Sequence, residues 1–307
     1  MASLMTVLGL IPISGLGIIL PHEHLFTDLR GPRAPGYGQA DVADVVGRLR
    51  PHLEELRELG VSALVEPSTV GVGRNVRVLR ALAEAVDLPV VAPTGAYRDE
   101  FIPDALRSLP QQALTDWMVS ELSEGIEGTG IRAGFIKLAT SQAGLTPLEE
   151  RLLRAAAAAS LETGAAIMSH TLSGAIALRQ VEILEEEGVE PREFIWAHAQ
   201  REPDPELHLR LARRGAYVEY DTIGGPNEPD SLFVDLIRRL WDGHCGARVL
   251  LSQDAGWYRP EDPQAPIRGY GYLLRTFVPS LERAGFGRQA IPTMLVDNPQ
   301  YALAVDS

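Results

Sequence analysis

Short apolar runs alternate with longer stretches of helical periodicity along this chain, and this alternation limits the fold more than any other feature of the sequence. Near-continuous runs of Val, Ile, Leu and Ala separated by helices predict a parallel sheet that is covered on both faces. The candidate strands are residues 17–26, 63–68, 89–97, 133–140, 165–171, 193–199, 216–223 and 248–254. Helical patterns between them include residues 41–59, 74–86, 148–163 and 173–187.

Eight predicted strands is the number that closes a TIM barrel. A doubly wound sheet shows the same alternation, but it has a glycine-rich phosphate loop after the first strand. Here the first strand ends in Pro-His-Glu-His-Leu at residues 21–25. We therefore predict an α/β fold, a single (β/α)8 TIM-barrel domain over residues 1–307, with residues 1–16 as an N-terminal hairpin.

Charge and cysteine content narrow the functional classes. The formal net charge of −13 argues against nucleic acid or an anionic membrane as a partner, because both bind basic patches. Cys245 is the sole cysteine, so we expect no disulfide framework and no cysteine-based zinc site, and a cytoplasmic location fits. The apolar residues 1–20 lack the positive segment and cleavage site of a signal peptide, and no run reaches the roughly 18 apolar residues of a membrane helix.

Histidines and an aspartate stand at the ends of the predicted strands. His22 and His24 lie two residues apart on strand one, so their side chains point to the same face. His170 closes strand five, His198 closes strand six and Asp254 closes strand eight. Because the C-terminal ends of barrel strands meet on one face, the sequence predicts a metal site there.

Lys137 closes predicted strand four and is the only lysine among 28 basic residues. A bare ammonium is unfavourable inside a barrel beside metal ions. The amine can react with carbon dioxide to give a carbamate, an anionic ligand able to bridge two metals, whereas a guanidinium stays protonated. We therefore expect Lys137 to be carboxylated and to act as a bridging ligand.

Each of these residues has an ordinary structural explanation when it is taken alone, such as a core hydrogen bond or a helix cap. The six together favour a metal site. His52, His208 and His244 lie on predicted helices or loops, and we expect them to be solvated surface residues. Glu23 points away from its two histidine neighbours by strand alternation, so we expect it to have a supporting structural role.

At these residues the sequence resembles the phosphotriesterase family of the amidohydrolase superfamily, over almost the whole chain. The resemblance implies two divalent metal ions, usually zinc, bridged by a hydroxide and by the carboxylated Lys137, and it implies a homodimer. One ion would be held by His22, His24 and Asp254. The other would be held by His170 and His198.

Other stretches resemble particular branches of the family. Tyr97 in Thr-Gly-Ala-Tyr is similar to the tyrosine that phosphotriesterase-like lactonases carry beside the hydroxide. Thr222 stands where the quorum-quenching lactonases have arginine, in the sequence Asp-Thr-Ile-Gly at 221–224. This loop and Gly-Tyr-Gly-Tyr at 269–272 are more similar to the phosphotriesterase homology proteins. Those proteins often carry glutamate where this chain has Lys137.

The sequence thus predicts a binuclear metal-dependent hydrolase whose bridging hydroxide attacks a lactone or ester, with weak phosphotriesterase activity. Asp254 would accept the proton, and Tyr97 would orient the hydroxide or donate to the substrate. The substrate would be a small molecule, anionic or phosphorylated. The candidate substrate contacts are Arg98, Arg201, Trp257 and Arg268.

Two alternatives stay open at this point. One is a barrel that binds a small ligand without turning it over. The other is a mononuclear amidohydrolase, such as a deaminase or amidase, with one metal ion per chain and an unmodified Lys137.

Overall fold

A computed structural model describes residues 2–306, so Met1 and Ser307, the two ends of the predicted domain, lie outside the described residues. The strands are β1 Ala2–Thr6, β2 Gly9–Pro12, β3 Ile18–Leu20, β4 His24–Phe26, β5 Val61–Val65, β6 Val90–Val91, β7 Pro93–Thr94, β8 Phe135–Ala139, β9 Ile167–His170, β10 Phe194–Ala197, β11 Tyr217–Tyr220, β12 Val249–Leu251, β13 Gly256–Tyr258 and β14 Val305–Asp306. The α-helices are α1 Val42–Glu58, α2 Val76–Val86, α3 Asp104–Arg107, α4 Gln111–Ser123, α5 Pro147–Thr163, α6 Gly174–Glu186, α7 Pro205–Arg214, α8 Asp230–Asp242, α9 Val278–Arg283, α10 Ala290–Pro292 and α11 Asn298–Leu303. Two π-helical segments, Leu273–Phe277 and Thr293–Asp297, precede α9 and α11.

Parallel pairing along the chain builds the barrel. One sheet has the order β3-β5-β6, and a second runs β7-β8-β9-β10-β11-β12. Only Ala92 separates β6 from β7, so these two form one barrel strand. Within residues 2–306 the barrel therefore has eight strand positions, which confirms the predicted TIM barrel.

The seam between the first and last barrel strands is closed by a few specific hydrogen bonds. The backbone N–H of Asp254 donates to the carbonyl of His22 over 3.1 Å. Ser252 Oγ accepts from the N–H of His22 at 3.0 Å and lies 2.9 Å from Glu23 Oε1, to which it donates. Glu23 also accepts from the N–H groups of Gln253 and Ala255 at 2.9 and 2.8 Å. The expected structural role of Glu23 is therefore to hold this seam closed.

The barrel interior explains why the strands are apolar on both sides. Ala63 and Val65 of β5 join an inner cluster with Phe135 and Met168, while Leu64 packs in the outer cluster. Alternate residues of one strand thus face the barrel axis and the surrounding helices. Lys137 lies two residues after Phe135 and therefore points inward as well.

Local capping sets where α5, one of the two longest described helices, begins. The Thr146 side chain accepts from the N–H of Glu149, and the Glu149 carboxylate accepts from the N–H of Thr146. Pro147 occupies the first turn, where its missing N–H costs nothing. The helix ends at Gly164, whose φ of +74° is accessible to a residue without Cβ.

The termini cover the N-terminal end of the barrel. β1 and β2 pair antiparallel, and Leu4 of β1 packs into the inner cluster. The C-terminal strand β14 pairs antiparallel with β1. β14 was not predicted from the sequence. Within residues 2–306, no helix is both long and apolar enough to cross a lipid bilayer.

One of the three remaining histidines is placed differently from the prediction. His244 is exposed and His52 is partly buried, but His208 of α7 is buried, so the expectation of a solvated His208 was wrong. Its Nε2 lies 3.0 Å from the carbonyl of Glu202, and its Nδ1 lies 2.9 Å from the Tyr220 hydroxyl. Both ring nitrogens therefore have a hydrogen-bond partner inside the protein, so burying the neutral imidazole carries little desolvation penalty.

Candidate active site

Six side chains that are distant in sequence line one cavity at the C-terminal ends of the barrel strands. The cavity has a volume of about 80 Å³, and Tyr97 and Trp257 also line it. Four of the six lie at or just beyond the ends of β3, β9, β10 and β12, one begins β4, and Lys137 lies within β8. The six residues are His22, His24, Lys137, His170, His198 and Asp254.

The imidazoles lie close enough to share bound cations. The ring centroids of His22 and His198 are 4.9 Å apart, and those of His170 and His198 are 4.4 Å apart. His24 Nε2 lies 3.2 Å from Asp254 Oδ1. One potential ligand atom from each of His22, His24 and Asp254 lies within 4.8 Å of the others.

A larger groove of about 910 Å³ lies elsewhere, between α5 and the C-terminal helices. Its walls include Leu161, Arg192 and Tyr301 but none of the six clustered residues. Chemistry rather than size therefore identifies the candidate site.

Backbone strain directs several of these side chains into the cavity. His198 and Asp254 have φ values of +64° and +50°, in the left-handed region that residues with a Cβ rarely adopt. Trp257 has a φ of +73°. Such outliers persist only where surrounding contacts hold them, and they concentrate at functional sites.

Three of the four imidazoles have a carboxylate partner behind the cavity. His24 Nδ1 lies 3.1 Å from Glu66 Oε1. His198 Nδ1 lies 2.7 Å from Asp221 Oδ1, and His22 Nδ1 lies 3.0 Å from Glu219 Oε2. Carboxylates in these positions orient imidazole rings and make their other nitrogen a better ligand.

None of these three carboxylates was predicted from the sequence as part of the site. Glu219 and Asp221 are two residues apart on and just after β11, and this period-2 spacing of acidic residues in an apolar strand was a usable signal. Glu66 directly follows β5 in the same way that the predicted ligands follow their strands.

His170 differs from the other three imidazoles because, among the described residues, its hydrogen-bond partner is the Tyr97 hydroxyl and not a carboxylate. The Tyr97 hydroxyl lies 3.2 Å from His170 Nδ1 and 3.4 Å from Nε2. Burial, together with the nearby His198 and Lys137, lowers the pKa of His170 well below its ordinary value. The ring is therefore neutral near pH 7, the form that binds metals.

The charges around His24 favour a cation. Burial alone would lower the pKa of His24, but Glu66 and Asp254 outweigh it and raise that pKa to about 9. Burial likewise opposes ionisation of Asp254, but the hydrogen bond and charge of His24 lower its pKa below the usual range. Positive charge, from a proton or a metal ion, is thus stabilised between these two carboxylates.

Lys137 is buried, and its Nζ has no hydrogen-bond partner within the described residues. Burial lowers the pKa of Lys137 to about 8, against the opposing effect of carboxylates of which Glu219 is the strongest. More of the amine is therefore uncharged near neutral pH than for an exposed lysine, and the uncharged amine is the form that reacts with electrophiles.

Two aromatic residues form the wall of the cavity. Burial raises the pKa of Tyr97 to about 12, so its hydroxyl stays protonated and can donate. The Trp257 ring lies 4.3 Å from that of His24, centroid to centroid, and its Nε1 donates to the carbonyl of Asp254 at 2.8 Å.

The three arginines proposed as substrate contacts do not line the cavity. Arg98 Nε lies 2.8 Å from Glu100 Oε1, and its guanidinium lies over the Tyr97 ring. Arg201 pairs with Glu228 at 2.6 Å. Arg268 donates to the carbonyl of Ile223 at 2.8 Å. Their charges are engaged by partners within the loops, and only Trp257 of the four candidates reaches the cavity.

Comparison with known proteins agrees with this geometry. The phosphotriesterase family model matches residues 2–303. The phosphotriesterase homology protein of Escherichia coli K12 is 33% identical over 92% of this chain and 96% of its own. The phospho-furanose lactonase of Mycoplasmopsis agalactiae is 29% identical over 98% of this chain and 91% of its own. A mutant of the organophosphorus hydrolase from Deinococcus radiodurans superposes with a TM-score of 0.89 at 29% identity, covering 98% of this chain and 97% of that one.

Members of this family generally bind a pair of divalent metals and act on small molecules, and the described residues include histidine and aspartate groups able to hold a metal. The predicted resemblance is confirmed, since the family match spans nearly the whole chain. The chain belongs to the phosphotriesterase family, a family of metal-dependent hydrolases.

Proposed function

We propose that the protein is a binuclear metal-dependent hydrolase that cleaves a lactone or another ester. The observation that carries the proposal is the convergence of four imidazoles, Asp254 and the sole lysine on one small cavity at the barrel mouth. This constellation supports hydrolysis rather than simple ligand binding, because it combines metal-capable groups with a proton acceptor.

The imidazole nitrogens, the Asp254 carboxylate and the Lys137 side chain that line the cavity suit a pair of divalent ions. Among the described residues, Lys137 Nζ is buried without a hydrogen-bond partner, as expected of an atom meant for a different partner, and buried Asp254 Oδ1 has only His24 Nε2 near it, at 3.2 Å. We assign His22, His24 and Asp254 to one ion. His170 and His198 would hold the other, and Lys137, once carboxylated, would be a ligand available to both.

We propose zinc as the metal and carboxylation of Lys137 by carbon dioxide. Imidazole and carboxylate donors suit zinc, although other first-row ions bind such donors too. A carbamate would put an anionic group where the buried amine otherwise has no partner.

Bound divalent ions would supply an activated water and polarise the carbonyl or phosphoryl oxygen of the substrate. Asp254, held by His24, accepts the proton of the attacking water and passes it toward the leaving group. The Tyr97 hydroxyl stays protonated and donates a hydrogen bond to the water or to the substrate oxygen. Trp257 contacts the leaving group and excludes bulk water.

We propose a small lactone or carboxyl ester as substrate, anionic or phosphorylated, with weak activity on phosphotriesters. The lactonase and hydrolase names of the relatives support an ester-cleaving reaction. The cavity wall includes the apolar side chains of Leu29 and Val72. Arg98, Arg201 and Arg268 would contact an anionic group only after exchanging their present partners.

The test combines metal counting with a hydrolysis panel of lactones, carboxyl esters and phosphotriesters. We expect two metal ions per chain and turnover of at least one ester class. One ion per chain with unmodified Lys137 would select a mononuclear amidohydrolase, and full metal loading without turnover would select a ligand-binding barrel. Anomalous scattering from a crystal would locate the ions and any carbamate. A homodimer and a cytoplasmic location remain part of the proposal, and sedimentation analysis tests the former.

The Asp254→Asn variant tests the proton acceptor. We expect kcat to fall by about 10²- to 10⁴-fold, because an amide cannot accept the proton, while much of the metal stays bound. Asp104→Asn serves as the control, since Asp104 is an exposed aspartate paired with Arg33 outside the cavity. Full activity in Asp254→Asn would refute the assigned role.

A further inference from the structure

Glu219 is a buried carboxylate that the proposed reaction does not use. It lies on β11 two residues before Asp221, and both side chains are fully buried. Within the described residues, Glu219 Oε2 bonds only to His22 Nδ1, at 3.0 Å, and Glu219 Oε1 has no hydrogen-bond partner.

Fold stability does not explain a glutamate at this position. Burying a carboxylate with one unsatisfied oxygen opposes folding. Glu121 shows what a structural buried glutamate looks like in this protein. Its two oxygens accept from Arg74 at 2.6 and 2.7 Å, and one of them also accepts from Thr94 at 2.6 Å.

The geometry points to a positioning role for Glu219 toward His22. A carboxylate that accepts a hydrogen bond from Nδ1 requires Nδ1 to carry the proton. Nε2 is then unprotonated, and its lone pair is free to bind a metal ion. Asp221 does not replace it, because Asp221 is bonded to the side chain and backbone N–H of His198 and lies 3.4 Å from His22 Nδ1.

We propose that Glu219 fixes the ring orientation and tautomer of His22 and thereby tightens binding of the metal ion assigned to His22, His24 and Asp254. β11 then supplies orienting carboxylates to two imidazoles from opposite parts of the chain, Glu219 to His22 and Asp221 to His198. The inference rests on the proposed metal-dependent function.

The experiment compares Glu219→Gln and Glu219→Leu with the wild-type protein. Zinc affinity is measured by competition with a chelator, and the Co²⁺-substituted proteins are compared by their visible spectra. We expect affinity for one of the two ions to fall roughly 10- to 100-fold in Glu219→Gln, and further in Glu219→Leu, which has no acceptor. The Tm of the metal-free proteins should stay unchanged or rise, because a poorly satisfied buried carboxylate has been removed.

The matched control is Glu121→Gln, which neutralises a buried glutamate bound to Arg74 and Thr94, away from the cavity. It should lower the Tm of the metal-free protein and leave zinc affinity unchanged. Wild-type affinity and an unaltered Co²⁺ spectrum in both Glu219 variants would overturn the inference, as would a loss of metal-free Tm without a loss of affinity. A wild-type protein that binds no metal in the cavity would instead refute the proposed function itself.

Discussion

The chemistry of each imidazole in the cavity depends on its hydrogen-bond partner. His22, His24 and His198 each have a carboxylate at the nitrogen that faces away from the cavity, whereas His170 contacts the hydroxyl of Tyr97. A carboxylate partner makes an imidazole a stronger metal ligand, and His170 lacks one. Its partner is the Tyr97 hydroxyl, which also faces the cavity. A change at Tyr97 should therefore affect the chemistry of the site more than the stability of the fold.

Replacing Tyr97 by Phe removes this hydroxyl but keeps the ring against Phe101 and His170. We expect kcat/KM to fall by as much as about 10²-fold, because a protonated donor facing the reacting atoms is lost. Metal content and Tm should match those of the wild type. Unchanged kinetics with full metal would show that Tyr97 is only part of the wall.

Secondary-structure elements are held in register by buried polar groups between them. Arg74, just before α2, reaches the carbonyl of Pro93 in β7 and the carboxylate of Glu121 in α4. His208 of α7 connects to the Tyr220 hydroxyl at the end of β11. Each contact fixes a helix against the strand beside the cavity.

The buried ion pair gives the first prediction at this scale. Glu121→Gln removes the buried counter-charge of the Arg74 guanidinium and leaves only the exposed carboxylate of Glu127, 3.2 Å away, so the free energy of unfolding should fall by about 3 kcal/mol. Urea unfolding followed by circular dichroism measures it. Replacing both residues by apolar ones of similar volume, as in Arg74→Met with Glu121→Leu, should recover most of the loss, and a double variant as unstable as the single one would contradict the explanation.

His208 gives a prediction about pH. Burial lowers the pKa of His208 below its ordinary 6.5, against the opposing contact with the Glu202 carbonyl. Its stabilising effect is therefore complete above about pH 6.5 and is lost as pH falls through lower values, since the unfolded ring takes up a proton that the folded ring resists. The difference in unfolding free energy between wild type and His208→Gln should shrink from pH 8 to pH 5.

The measurement uses urea unfolding of the metal-free proteins at several pH values. The other histidines titrate in both proteins, so they cancel in the difference. A difference that stays constant over this range would show that His208 does not resist protonation.

At the scale of the whole molecule, four carboxyl groups on or just after β5, β11 and β12 gather at one end of the closed barrel. Glu66, Glu219, Asp221 and Asp254 all lie near Lys137. The strand seam beside them is held by Glu23 and Ser252. Cations bound there would offset carboxylate repulsion and tie opposite strands together.

Metal removal should therefore destabilise the entire fold. Ligands that bind only the native state stabilise it by about 4 kcal/mol at a thousandfold excess over Kd. We expect the Tm to fall on treatment with a chelator and to return on adding Zn²⁺. Hydrogen exchange should speed up most at the seam, residues 252–255. An unchanged Tm after verified metal loss would mean that the cavity contributes no stability.

The alternation of strands and helices, the barrel and the six clustered residues could be predicted because they depend on local patterns. Strand periodicity and a polar residue at each strand end are visible in the sequence, and barrel closure then brings those ends together. Family membership followed from the same motifs and is confirmed by the match over residues 2–303.

The sequence by itself thus determined the alternation of barrel strands and helices and which end of the barrel carries the reactive groups, since both follow from side-chain periodicity. Only the tertiary structure decided which partner each polar group finds. It directed three arginines to loop carboxylates and carbonyls, buried His208 against Tyr220 and set Glu219 behind His22. These pairings depend on distances between residues far apart in sequence, and burial makes an unsatisfied polar atom costly enough to select among them.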